Sequence, residues 1–295
     1  TTRLLLVESL GGSYRDLDRR LVFTRLGEGV DSEGLLSDVA IKRTLAAIAE
    51  FCAVAGELGA TRIRVACTSA VRDASNRDAF LDAASRLVPD SPVHVISGSQ
   101  EAQLSFAGAT SDLQDGNYLV LDIGGGSTEF VLGSVSGGVV LRMSLNVGSV
   151  RLTERHMLTD PPATEEMLTM EAAIDDSLDQ VADAMPDASS AQLVGVAGTV
   201  TSLAAMHLGL ERYDPKVTHH SILTRQAMSS MYRDLAAMNI EQRLSIPSMP
   251  EGRADIIVAG TSILSRTMAR WGFEHVVVSE HDILDGLVIE MLGEN

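Results

Sequence analysis

The chain has 295 residues, enough for two domains of ordinary size. Its 23 Lys and Arg against 40 Asp and Glu leave a formal charge of −17, and 45% of its residues are hydrophobic. That apolar content excludes a disordered chain, and the acidity excludes a general nucleic-acid binder, because it repels the phosphate backbone at long range.

The charge is uneven, −2 over residues 1–110 and −15 over 111–295. Lys42 and Lys216 are the only lysines; the Arg bias suits phosphate recognition, with codon bias as the alternative cause. The longest apolar stretch, near Ala254–Leu264, is too short and too interrupted to span a bilayer, so no membrane partner is expected. Cys52 and Cys67 are the only cysteines. They fit a reducing cytoplasm, the expected compartment, and argue against a disulfide framework or a zinc site. No charged-then-apolar leader opens the residues at hand.

Strands are expected at Arg3–Glu8 and, past a turn around Gly11-Gly12, at Arg19–Leu26. Ile41–Leu58 has apolar residues at helical spacing (Ile41, Leu45, Ile48, Phe51, Cys52, Ala55). A strand at Arg62–Cys67, a helix at Ser75–Leu87, a strand at Val93–Ile96 and a helix at Glu101–Ala109 complete the first half. The second half opens with strands at Tyr118–Ile123, Ser127–Gly133 and Val139–Leu145. Helices follow at Val150–Met157 and Thr164–Met185, then a strand at Gln192–Val196 and a helix at Val200–Leu208. A strand at Ile222–Thr224, helices at Arg225–Met238 and Arg253–Trp271, a strand at His275–Ser279 and a helix at Asp282–Leu292 end the chain. The fold class is α/β, with domains over 1–110 and 111–295. Thr1–Val7 aligns with Ser127–Gly133 as an internal duplication. On that alignment the counterpart of Asp122–Gly126 is expected just upstream of Thr1, as an apolar strand ending in an Asp-x-Gly turn. The acidic run in Thr164–Asp187 reads as the solvated face of an amphipathic helix.

The sharpest chemical signal is Asp122-Ile123-Gly124-Gly125-Gly126-Ser127-Thr128-Glu129. A strand runs into three glycines, Gly124, Gly125 and Gly126, whose amides can approach an anion without side chains in the way. Ser127 and Thr128 add hydroxyl donors. A carboxylate beside a phosphate makes sense when it faces a metal ion or water, so Asp122 and Glu129 are candidate Mg²⁺ ligands. Thr68-Ser69-Ala70-Val71-Arg72 follows a strand, where α/β sheets bind ligands; a helix-flanking loop is an equal reading. Ser97 and Gln100 have capping-box spacing, which leaves Glu101 free of capping work and a candidate general base; the bland reading is a favourable dipole contact. Gly198-Thr199, in another strand-to-helix turn, reads equally as an anion site or a tight connection. His219, His220, His275 and His281 lack a metal-ligand pattern and read as structural or surface residues.

Several segments together resemble the exopolyphosphatase and guanosine pentaphosphate phosphohydrolase family. They are Thr24–Gly29, Thr68–Arg72, Ile96-Ser97-Gly98 with Glu101-Ala102, Asp122–Glu129, and Arg253-Ala254-Asp255 with Ala259-Gly260. The resemblance implies two ribonuclease H-like domains of the actin, sugar kinase and heat-shock chaperone superfamily, with an active site in the cleft between them. It also implies Glu101 as catalytic base, Asp122–Glu129 as a phosphate loop and Arg72 as a phosphate-binding arginine. The expected activity is Mg²⁺-dependent removal of terminal phosphate from inorganic polyphosphate. Hydrolysis of guanosine pentaphosphate is the runner-up, and an ATP-dependent kinase or a non-catalytic sensor are further alternatives. A homodimer is carried as the expected assembly.

Overall fold

The computed structural model describes residues 1–11, 13–88, 91–250 and 252–293. The chain divides into two compact units, Thr1–Glu101 with Leu284–Asn295, and Ala102–Ile283. A single cut along the sequence cannot draw this division, because the last helix belongs with the first unit.

In the first unit, β1 (Thr2–Ser9) and β2 (Tyr14–Val22) form an antiparallel hairpin. β2 lies earlier than the expected Arg19–Leu26, because its register ends where Val22 meets Thr2, the first residue of β1. Of the expected Gly11-Gly12 turn, Gly11 has a left-handed φ of 71° and Gly12 lies outside the described residues. The short α1 (Val30–Glu33) precedes α2 (Asp38–Glu57), which opens on Ser37, whose hydroxyl accepts from the Ala40 amide. α2 buries Ala40, Thr44, Ala47, Ile48, Phe51 and Ala55, a stripe at the three- and four-residue spacing of one helix face.

β3 (Val65–Cys67) and β4 (Val93–Val95) pair in parallel, joined through α3 (Ser69–Asp73) and α4 (Arg77–Leu87). Ser75 does not cap α4. Its hydroxyl donates to Gly34 O, while the Asn76 side chain bonds both the N–H and the carbonyl of Leu36. Helix α13 (Ile283–Gly293) closes the unit: Asp285, wholly buried, accepts from Arg19 Nη1 and Nη2 (3.2 and 2.6 Å) and from the Tyr14 hydroxyl (3.0 Å).

The second unit is built on one six-stranded sheet in the order β7-β6-β5-β8-β10-β9. Its strands are β5 (Asn117–Ile123), β6 (Thr128–Ser134), β7 (Gly138–Leu145), β8 (Gln192–Val196), β9 (Ile222–Thr224) and β10 (His275–Val278). β5, β6 and β7 pair antiparallel; β8 runs parallel to β5, and β10 parallel to β8. Three antiparallel strands extended on one side by parallel ones is the ribonuclease H-like arrangement. β5 is buried on both faces, which explains its unbroken apolar run. One face carries Leu119, Leu121, Ile123 and Phe130 into the main core. That core also takes residues of α6 (Ser149–His156), α7 (Thr164–Ala184), α8 (Ala197–His207), α10 (Arg225–Ala237) and α12 (Ile257–Trp271). The other face carries Tyr118, Val120, Val131, Val194 and Val196 against Ala102, Phe106 and Ala109 of α5 (Gly98–Ala109). The one-turn helices α9 (Pro215–Thr218) and α11 (Ile240–Leu244) were too short to show periodicity in the sequence. No helix is long and apolar enough to cross a membrane among the described residues.

The two units repeat one plan. β1–β2 matches β6–β7, and the parallel β3–β4 matches β8–β10. The antiparallel register slips between Leu6 and Val7 in one unit and between Leu132 and Gly133 in the other, and these positions face each other when Thr1 is aligned with Ser127. An irregularity at the same aligned step supports duplication more strongly than shared hydrophobicity does, because bulges are retained as designed features of a strand pair.

Candidate active site

In the first unit, the candidate residues lie just past the carboxyl ends of β3 and β4. Ile96 N–H donates to Cys67 O (3.0 Å), so the chain leaves both strands at one level. Thr68 O then accepts from the amides of Val71 and Arg72, folding Thr68, Ser69 and Arg72 into one tight turn. Ser97 and Gln100 make the expected capping box: the Ser97 amide donates to Gln100 Oε1 and the Gln100 amide to Ser97 Oγ, both at 3.1 Å. Glu101 is thus released from capping. Its Oε2 lies 3.1 Å from Arg72 Nη1, which also donates to Ile96 O at 2.9 Å. Arg72 and Glu101, 29 residues apart, are one part-buried ion pair, a partnership the sequence did not reveal. No acceptor among the described residues takes the Arg72 Nε and Nη2 hydrogens, so part of the planar fork is open to an anion.

In the second unit, Gly124–Ser127 is the turn between β5 and β6, closed by Gly124 N–H to Ser127 O at 3.0 Å. The start of α6 grips its carbonyls. Ser149 N–H donates to Gly124 O (2.9 Å), Val150 and Arg151 N–H to Gly125 O (2.9 and 3.1 Å), and Arg151 Nε to Gly126 O (2.7 Å). In a trans peptide the N–H points opposite the carbonyl, so the amides of Gly125, Gly126 and Ser127 are turned away from α6 as a row of donors. The close approach requires glycine at 148, where a Cβ would overlap the Gly125 carbonyl. Thr128, read from sequence as a donor to ligand, instead donates to Val147 O (2.5 Å), so its hydroxyl is structural.

Asp122 and Glu129 are direct partners across β5 and β6. They therefore project from the same sheet face, at the spacing where like charges destabilise a bare pair. Both are buried, at 8% and 1% exposure. Two buried hard-oxygen donors side by side fit Mg²⁺, whose charge removes that repulsion.

Gly198 and Thr199 lie in the first turn of α8, which starts three residues before the expected Val200, after Ala197 adopts a left-handed φ of 65°. A Cβ on Gly198 would overlap the guanidinium of the buried Arg253, and the buried Thr199 hydroxyl has no hydrogen-bond partner among the described residues. Arg253 was part of the sequence resemblance without a role; its pairing with a glycine 55 residues away has no local signal.

The histidines also converge. His219 Nε2 lies 2.8 Å from Asp112 Oδ2, and His220 Nε2 and His281 Nδ1 approach the same carboxylate at 3.4 and 3.5 Å. His219 Nδ1 accepts the Glu280 amide at 3.1 Å, which leaves the ring hydrogen on Nε2 facing Asp112. A metal at Nε2 would force that hydrogen onto Nδ1, against the amide, so the cluster fits hydrogen bonding better than coordination. Burial lowers the His219 pKa; the His219 hydrogen bond holds Asp112 low against the burial that would raise it.

Outward-turned amides near paired carboxylates in the second unit suit a phosphate group, and in the first unit a glutamate is held by an arginine, pieces that suit a phosphoanhydride hydrolase. The chain belongs to the Ppx/GppA phosphatase family, whose profile matches residues 5–295. It is 36% identical to exopolyphosphatase 2 of Mycobacterium tuberculosis over 96% of this chain and 91% of that protein. A guanosine-5'-triphosphate,3'-diphosphate pyrophosphatase of Aeromonas hydrophila is 28% identical over 99% of this chain and 57% of its own length. The crystal structure of an exopolyphosphatase-like protein superposes with a TM-score of 0.92 at 35% identity, covering 98% of this chain and 93% of that one.

Proposed function

We propose that this protein is an exopolyphosphatase, hydrolysing the terminal phosphoanhydride bond of inorganic polyphosphate. The observation that carries the reading is the Gly124–Ser127 turn, its carbonyls held by α6 and its amides turned outward, flanked by Asp122 and Glu129. The amides of Gly125, Gly126 and Ser127 would hold oxygens of a terminal phosphate. Gly198, Thr199 and Arg253 would hold further phosphates of the chain, and the open part of the Arg72 fork another oxygen. Asp122 and Glu129 would hold Mg²⁺, directly or through water, which supplies charge neutralisation at the phosphoryl oxygens. Glu101 takes a proton from water; the water oxygen bonds to the terminal phosphorus as the bridging P–O bond breaks. Orthophosphate leaves and the polymer is one unit shorter. Arg72 is the cation beside the carboxylate that must act as base.

The resemblance to the Aeromonas pyrophosphatase favours guanosine pentaphosphate as the second substrate to test. The same chemistry would then run on a nucleotide. The free thiols of Cys52 and Cys67 support a cytoplasmic setting, and a homodimer is the proposed assembly, read by sedimentation. The deciding experiment is orthophosphate release from long-chain polyphosphate and from guanosine pentaphosphate, with and without Mg²⁺. Faster release from polyphosphate is expected; no release from either overturns the reading.

A further inference from the structure

Several helix hydroxyls in this protein turn back on their own helix: Thr110, Thr153, Thr169, Ser177 and Thr261 each donate to the carbonyl four residues back. Ser105, wholly buried in α5, does not. Its Oγ–H reaches across to Asp122 Oδ2 at 2.5 Å. Ser144 does the same for the partner carboxylate, donating to Glu129 Oε1 at 2.7 Å. Ser144 is the cross-strand neighbour of Glu129 on β7, as Glu129 is of Asp122 on β5. Ser144, Glu129 and Asp122 thus form one polar row across three strands, and Ser105 meets its inner end from the helix packed on that face.

The terminal torsion of a carboxylate is broad and two-fold, so an untethered pair presents smeared oxygen positions. A hydroxyl bonded to one oxygen fixes the plane and with it the second oxygen. Alanine is the better helix former at 105 and would suit an apolar face; the hydroxyl is explained by what it holds. We propose that Ser105 and Ser144 are positioning residues of a divalent-cation site, each fixing one of the two carboxylates in the orientation that receives the ion. The proposal rests on the reading of Asp122 and Glu129 as cation ligands.

Mn²⁺ binding to the full chain, followed by the electron-paramagnetic signal of the free ion with and without orthophosphate, tests it. Ser105→Ala and Ser144→Ala are each expected to weaken Mn²⁺ affinity by about 10–100-fold, and Ser144→Thr, which keeps the hydroxyl, to restore most of it. In turnover, the Mg²⁺ concentration for half-maximal phosphate release should rise while the rate at saturating Mg²⁺ recovers, a split that general damage to the fold does not produce. Ser144 is exposed on an edge strand, so Ser144→Ala keeps the fold and carries the test alone if Ser105→Ala proves unstable. A Ser144→Ala protein that binds Mn²⁺ as tightly as wild type overturns the proposal. Wild-type binding that Asp122→Asn leaves unchanged overturns the cation reading itself, and the proposal with it.

Discussion

Glu101 and Arg72 form a single unit of chemistry, and the capping box separates their function from folding. Gln100 performs the cap, so Glu101→Gln removes the base while leaving the helix start intact. Turnover is expected to fall by roughly 10²–10⁴-fold with substrate affinity little changed. Melting temperature and phosphate release measured on one preparation separate this from a dipole contact, which would cost about 0.3–1 kcal/mol of stability and spare turnover. Arg72→Ala is expected to lose more than binding, because the same guanidinium holds Glu101 at 3.1 Å; both KM and kcat should suffer. Arg72→Lys is expected to recover only part, since an ammonium cannot bond Ile96 O, Glu101 and a phosphate from one planar fork. Michaelis parameters for both variants check this.

Elements differ in how much of their role the sequence displayed. The β5 strand, its glycine turn and the capping box of α5 were legible because each depends on neighbours within a few residues: an apolar run, three glycines, a Ser and a Gln three apart. The Asp122–Glu129 pair was legible as composition, though its shared face needed the register of β5 on β6. Arg253 over Gly198, Ser105 on Asp122 and the three imidazoles around Asp112 were not legible, since each joins residues on separate elements. The start of α8 was misplaced for a related reason: Ala197 takes a left-handed turn normally signalled by glycine.

The His219 latch between Asp112 and Glu280 has a pH signature. His219 titrates below its ordinary value of 6.5 in the folded chain, so between the two values the unfolded chain binds the extra proton. Stability from this group is therefore full above that ordinary value and is lost as pH falls below it. The depressed Asp112 adds a further loss, at pH below the ordinary carboxylate range. His219→Gln is expected to flatten the fall in melting temperature between neutral pH and about pH 5, measured by thermal scans across that range.

At the scale of the whole molecule, one plan is used twice, and the second copy is unbroken while the first is not. Ala102–Ile283 is continuous; the first unit is completed only by α13. Asp285 is the tie, wholly buried beneath Arg19 and Tyr14. Burial, with Asp285 nearby, raises the Tyr14 pKa, which keeps its hydroxyl a donor. Asp285→Ala is expected to cost about 1–3 kcal/mol by removing the buried acceptor that Arg19 and Tyr14 share, read as a drop in the denaturant midpoint.

The same tie sets an order in time. A ribosome delivers Arg19 266 residues before Asp285, so the first unit waits until the whole of Ala102–Ile283 has been made. During that wait the nascent chain carries a hairpin, β1–β2, whose anchor has not yet been made. The unit whose strands are made before the other's is therefore the one that finishes folding after it, and its Arg72–Glu101 pair rests on a unit completed only once α13 has been made.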